Sequence, residues 1–343
     1  MIRWRSGLSY LLPLGIGGGL LLIALLGAIS LGETSLAVPV VFKAVANALG
    51  AQYPLDPIDQ GIVWNYRLPR SLVAAACGAG LALCGVILQA LLRNPLAEPY
   101  LLGISAGAST GAVLVAIVGL GGGLLSLPLG AFSGALLAFA LVALLVRASR
   151  LRSSAGLIIL AGVAGSQLFN ALTALLIAKS ANAEQARGIL FWLLGNLSGV
   201  RWGAVWLTLP VVALGLAVSW SERRTLDAFI FGSEAAASMG IAVRRSQIVL
   251  IGTAGLVTAV LVSQVGAIGF VGLVIPHALR LWVGSGHRRL VPLSALCGAL
   301  FLIAADLFSR TLVKGQVLPV GVITALVGAP VFALLLMLGE RGR

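Results

Sequence analysis

Residues 71–92 read SLVAAACGAGLALCGVILQALL, 22 residues without a charged side chain, with Arg67 and Arg70 before them and Arg93 directly after. At 1.5 Å per residue such a run makes a helix of about 33 Å, enough to cross the hydrocarbon core of a bilayer. Water is absent there, so the backbone must close its own hydrogen bonds, and a helix does so within one segment. The alternation of apolar and polar residues that a membrane barrel needs is missing.

The rest of the chain repeats this pattern. Of 343 residues 59% are hydrophobic and only 10% charged, with mean hydropathy +1.08. A soluble domain carries about 25% charged residues to cover its surface. The fold class expected is therefore all-α, a polytopic membrane protein with ten transmembrane helices. The spans fall at about 9–31, 71–92, 100–120, 126–147, 155–178, 203–220, 246–265, 269–284, 290–307 and 318–339. The longest polar stretches, 32–70, 179–202 and 221–245, are too short for a separate soluble domain, so residues 1–343 form one transmembrane unit. Arg3 and Arg5 precede a stretch, Leu8–Leu31, long enough to span, and it reads as the first helix and not as a cleaved leader.

A net charge of +13 could suggest nucleic acid, but the cations lie between apolar blocks, without a basic domain or tail. Topology explains them. With both termini in the cytoplasm, Arg3, Arg5, Arg93, Arg147, Arg150, Arg152, Arg223, Arg224, Arg244, Arg245, Arg280, Arg288, Arg289, Arg341 and Arg343 lie inside. Lys43, Arg67, Arg70, Lys179, Arg187, Arg201, Arg310 and Lys314 lie outside, so 15 of the 23 cations are cytoplasmic, as the positive-inside rule requires. Cys77, Cys84 and Cys297 all fall in apolar segments and read as small packing residues. The 44 glycines include spaced sets at Gly78–Gly85, Gly103–Gly111 and Gly266–Gly272, which predict tight helix crossings. Pro95, Pro99, Pro276 and Pro330 predict interrupted spans or packing kinks.

Several chemistries are excluded. None of the three lysines lies in a G-x-x-x-x-G-K-[ST] loop, so ATP hydrolysis, if used, belongs to another polypeptide. His277 and His287 lack acidic or cysteine neighbours at ligand spacing, so no metal site is expected. Asp306 and Glu98 lie close to span ends, and no span carries a carboxylate near its centre, which argues against an ion-coupled carrier.

Ordered strings then narrow the class. Arg67-Leu68-Pro69-Arg70 precedes the helix ending at Gln89, and Arg93-Asn94-Pro95-Leu96-Ala97-Glu98-Pro99 follows it. Next come Leu101–Ala108 (LLGISAGA), Leu160–Val163 (LAGV) and Phe191–Gly195 (FWLLG). The C-terminal half carries Gly266–His277 (GAIGFVGLVIPH), Asp306–Arg310 (DLFSR), Leu318–Thr324 (LPVGVIT) and Gly328–Pro330 (GAP). From about residue 60 to 340 the set resembles the FecCD family of ABC importer permeases, which take up iron–siderophores, haem and cobalamin. The resemblance implies a cobalamin-permease-like bundle of the type II importers, ten helices per subunit. It also implies a second permease copy (homodimer or paralogue), two ATP-binding subunits, a periplasmic substrate-binding protein and the bacterial inner membrane. This chain would bind no cofactor; ATP would be used by the partner subunits. Siderophore-bound iron is the first expectation for the cargo, then haem, then cobalamin. A stand-alone secondary transporter is the alternative.

Residue roles follow from the resemblance. Arg67, Arg70 and Arg310 would receive acidic side chains of the binding protein; the alternative is that they anchor helices at the headgroups, with Arg310 pairing Asp306 one turn away. The cytoplasmic segment Leu226–Ile241 would couple to the ATPase through Phe229, Gly232, Ser233, Glu234, Ala237, Met239 and Gly240. Ser233 is the expected N-cap of its short helix, with Glu234 in the first turn. The fifth span would line the pathway, with Ala155 and Gly156 at the gate and Ser166, Gln167 and Asn170 as its polar side chains. Relatives with hydroxyl residues at the gate differ here, and Gln167 and Asn170 could instead hydrogen-bond between helices.

Overall fold

In the computed structural model, residues 11–32, 34–149, 155–180 and 182–340 are described. Arg3, Arg5, Arg150, Arg152, Arg341 and Arg343 of the charge ledger lie outside them. The described residues form helices without a strand. In chain order these are α1 (Leu11–Ser30), α2 (Val38–Ala48), α3 (Pro57–Gly61), α4 (Leu68–Leu91), α5 (Ile104–Ala116), α6 (Leu127–Ala148), α7 (Ala155–Ala178) and α8 (Ala183–Leu193). Then follow α9 (Trp202–Ser221), α10 (Arg223–Phe229), α11 (Ser233–Ser238), α12 (Val243–Val265), α13 (Val271–Val283), α14 (His287–Thr311) and α15 (Val320–Glu340).

Each of the ten expected spans coincides with a helix, and among the described residues seven helices are long and apolar enough to cross a membrane. The expected second span is longer than read. A π turn over Ile62–Arg67 joins α3 to α4, so the helix runs from Pro57 to Leu91, 35 residues. The polar stretches also hold α2 and α8, each 11 residues and too short to be read as spans. Asn182 starts α8 by accepting from the N–H groups of Glu184 and Gln185, which satisfies two donors at the helix end.

The core forms around α4, which packs on α14, α9, α12 and α13. Small residues permit this closeness. A Cβ on Gly78 would strike the carbonyl of Gly298 in α14, one on Gly298 would strike Gly78, and one on Gly85 would strike Gly272 in α13. Gly107 and Gly111 of α5 meet Gly134 and Gly130 of α6 in the same manner. In lipid, burial itself drives little association, so van der Waals contact between backbones holds such crossings. Cys77 and Cys84 are buried and unpaired within this core.

The prolines act differently from the expectation of broken spans. α13 continues through Pro276 and α15 through Pro330, while Pro95 and Pro99 lie in the connection before α5. Pro276 has no N–H, so the carbonyl of Gly272 loses its helical donor. The side-chain amide of Gln89 in α4 supplies that donor, giving hydrogen bonds to Gly272 O and Leu273 O at 3.2 Å each. Its own oxygen accepts from Arg280, one turn beyond the proline. A neighbouring helix has mended the gap.

Aromatic residues mark the two ends of α9. Trp202 stacks on Trp206 and meets a tilted Trp64 at one end, with Trp206 70% exposed, and Arg223 lies 5.0 Å over Trp220 at the other. Tryptophan is enriched at membrane–water interfaces, where an apolar ring and a polar N–H both find partners.

Candidate functional site

At one end of the bundle the arginines of α4, its π turn and α14 meet. Asp306 is 1% exposed and lies between Arg70 (Nε–Oδ1, 2.8 Å) and Arg310 (Nε–Oδ2, 3.1 Å). Arg310 also donates to the carbonyl of Ala28 at 3.0 Å. Arg67 donates to Ile29 O and Ser30 O, both at 2.9 Å, and to Thr34 O at 2.5 Å. The last carbonyls of α1 have no helical donors and form the negative end of its dipole, so two guanidinium groups complete them. Arg67 and Arg310, expected to face a partner, are 7% exposed and hold α1 in place. Arg70 reaches furthest toward the surface, with Nη1 3.3 Å from Ser198 Oγ. A cavity of about 450 Å³, lined by Tyr66, Arg67, Arg70, Ser198 and Arg310, opens beside it. Arg201, which the sequence reading used only as a charge, is exposed over the Tyr66 ring at 4.2 Å on the rim of this end.

At the opposite end lies the segment Leu226–Ile241. Gly232, and not Ser233, is the N-cap of α11, because its φ of 103° suits glycine; Ser233 is the first helical residue and Glu234 sits in the first turn. The helix closes on Gly240, φ 81°, whose N–H bonds Ala237 O while that of Ile241 bonds Ala236 O. That pair of bonds is a Schellman closure and sets the segment's direction back into α12. Phe229 was expected on the surface and is instead 1% exposed, as a core anchor of α10. The exposed large apolar groups are Phe231 at 71%, Met239 at 59% and Ile230 at 40%. Gly240, Ala237, Ser233 and Glu234 are exposed beside them. Phe231, Ser233 and Glu234 line a cavity of about 370 Å³ together with Arg93, Ile158, Gln247 and Ile251. Arg93 takes a left-handed φ of 47°, uncommon for a side-chain-bearing residue, and its guanidinium packs against Gly232.

Between the ends runs α7, of which only 22% is buried. Ala155 opens it, and Gly156 is exposed in the first turn. Gln167 and Asn170 are exposed on the same face as Leu160, Val163 and Ala174. Ser166 turns away, half-buried, toward Gly103 at the start of α5. The structure thus separates the expected polar set: two side chains on an open face, one at a helix contact.

Two further elements escaped the sequence reading. Tyr100 Oη accepts from the Ile268 N–H at 2.7 Å and pairs with the Ile268 carbonyl at 2.9 Å, so a 3₁₀ turn over Pro99–Leu102 supports the irregular backbone between α12 and α13. Phe270, with φ 70°, follows and packs on Gly328 of α15. Beside this junction Leu193, Leu194, Gly321, Val322 and Leu326 line an apolar groove of about 420 Å³. Only the string GAIGF at 266–270 hinted at it.

A multi-pass helical bundle with a charge cluster at one end, a short apolar helix displayed at the other and one uncovered polar-dotted helix between them has the build of a transporter's membrane subunit. The chain matches the FecCD transport family over residues 20–338 and belongs to it. It is 39% identical over 337 residues to an uncharacterized ABC transporter permease protein of Bacillus subtilis, YvrB, covering 95% of this chain and 94% of that one. It is 41% identical over 296 residues to the cobalamin import system permease protein BtuC of Halobacterium salinarum, covering 85% and 78%. Among solved structures, a chain from an ABC transporter assigned to the metal-chelate type, in an inward-facing conformation, superposes with a TM-score of 0.81. That chain is 31% identical, and the match covers 95% of this chain and 98% of it.

Proposed function

We propose that this permease is the membrane-spanning subunit of a binding-protein-dependent ABC importer of the bacterial inner membrane, with both termini cytoplasmic. Two copies, or a paralogous pair, face each other across α7, and two ATP-binding subunits supply the energy that this chain does not. A periplasmic binding protein delivers the cargo to the arginine end. Arg70 carries the docking contact and Arg67 and Arg310 hold the platform beneath it, with Arg201 on the rim. The opposite end docks an ATPase subunit through Phe231, Ser233, Glu234, Ala237, Met239 and Gly240, over the buried anchor Phe229 and the cap Gly232. Closure of the ATPase pair on ATP moves this segment and so opens the pathway to one side or the other.

The observation that carries the reading is the open face of α7. Lipid offers no partner to Gln167 or Asn170, and polar side chains inside a membrane face a bundle interior or a water-filled cavity. Sparse polar groups among Gly156, Leu160 and Val163 give a weakly binding path, which suits a large solute that must leave as readily as it enters.

For the cargo we place cobalamin ahead of the siderophore-bound iron and haem expected from the family alone. The support is the identity to a permease named for cobalamin import. Proteoliposomes holding the permease with its ATPase and binding protein should accumulate labelled cobalamin in an ATP-dependent manner. Uptake of a ferric siderophore or haem with cobalamin excluded would move the assignment within the family. Uptake without any ATPase would overturn the importer reading.

A further inference from the structure

The segment read as the ATPase-docking site is tied to the rest of the molecule at a particular place. Asp227, on α10, accepts from the backbone N–H of His287 at 2.8 Å, and the same Oδ1 lies 2.7 Å from His287 Nδ1. His287 is the first residue of α14 and is fully buried; Asp227 is half-exposed. The carboxylate therefore caps α14 at its positive end and orients the imbedded ring in one stroke. His287 Nε2 has no hydrogen-bond partner among the described residues, so Asp227 is what its ring engages. A buried ring with one face of its hydrogen bonding spent on a surface segment is costly to break and specific in direction.

The other end of α14 is the arginine cluster. Asp306 lies 19 residues beyond His287 on the same helix, about 29 Å along its axis. Near the midpoint, Gly298 touches Gly78 of α4, backbone to backbone, while Arg70 of α4 grips Asp306. One helix thus joins the coupling segment at its start to the charge cluster at its end, with a close crossing between.

We propose that Asp227 and His287 are positioning residues: they fasten the ATPase-docking segment to α14, so that events at the arginine end are felt by the ATPase through this helix. The inference rests on the docking reading of Leu226–Ile241. Neither residue touches ATP or cargo; each acts through the placement of α11.

The test uses the complete complex of permease, ATPase subunits and binding protein in liposomes, and reads the ratio of ATP hydrolysis with loaded binding protein to hydrolysis without it. Asp227→Ala should lower that ratio at least about fivefold, the lower end of ordinary coupling between sites. Asp227→Asn keeps an oxygen for both donors and should restore most of it, a rescue that a general loss of packing would not show. His287→Ala leaves the docking segment's own residues intact and should repeat the loss even where Asp227→Ala fails to assemble. Unchanged ratios in both alanine variants, or failure of Asp227→Asn to exceed Asp227→Ala, would overturn the tie. ATPase subunits that still co-purify with a chain lacking Phe229–Met239 would instead overturn the docking reading beneath it.

Discussion

α4 and α7 are both 24 residues long, both apolar, and opposite in their surroundings. The span containing α4 is 83% buried by its own chain; that of α7 is 22% buried. α4 carries Gly78 and Gly85 at backbone crossings and a glutamine, Gln89, with every bond spent inside. α7 turns Gln167 and Asn170 outward. Composition alone does not separate an axis from a wall. What separates them is where the small residues meet other small residues and where the polar ones find partners.

That contrast can be broken in graded steps. Asp306→Ala should do the most damage, because it leaves Arg70 and Arg310 without their buried counter-ion; loss of about 3–5 kcal/mol is expected for such a pair. Thermal unfolding in detergent should show it, and Arg70→Met together with Asp306→Leu should recover part. Gly78→Val comes next, at about 3 kcal/mol, since its side chain meets the Gly298 carbonyl and not a flexible group. Ala174→Val on the open face of α7 should leave the melting temperature unchanged. Gln89→Leu should cost about 1–3 kcal/mol, by stranding the Gly272 carbonyl beside Pro276. Like Ala174→Val, Gln167→Leu with Asn170→Leu should change stability little, within about 0.5 kcal/mol. Those two should nonetheless slow transport; a double variant that unfolds instead would make α7 a packed element like α4.

Much of the bundle was legible because length and apolarity are local properties: Ser71–Leu92 spans whatever surrounds it. Gly78, Gly85 and Gly272 could be picked out as crossing points, yet Gly298 could not, nor could the pairing of any of them, since partners some 200 residues apart leave no spacing to read. Arg67, Arg70 and Arg310 were found as a group, but charge says nothing of direction. Arg67 turns in toward α1 because the carbonyls of Ile29 and Ser30 are there to receive it. Ser233 looked like an N-cap because serine is the usual residue there; the φ of Gly232 decided otherwise. Phe229 looked exposed because its segment is polar, and only the packing of α10 buries it. Short helices such as α2 and α8 fell below the length at which a hydrophobic run announces itself.

On the proposed reading the open face of α7 borders water in the assembled permease. Gln167→Cys and Asn170→Cys, placed one at a time in a Cys297→Ala background, can be exposed to a charged, membrane-impermeant thiol reagent in the reconstituted complex. Ile23→Cys on α1, where the native side chain is 66% exposed on an apolar helix, serves as the lipid-facing control. Modification is expected at 167 and 170 and none at 23, with the rate at 167 and 170 changing when ATP is added. Equal inertness at all three positions would contradict it and would leave α7 facing lipid.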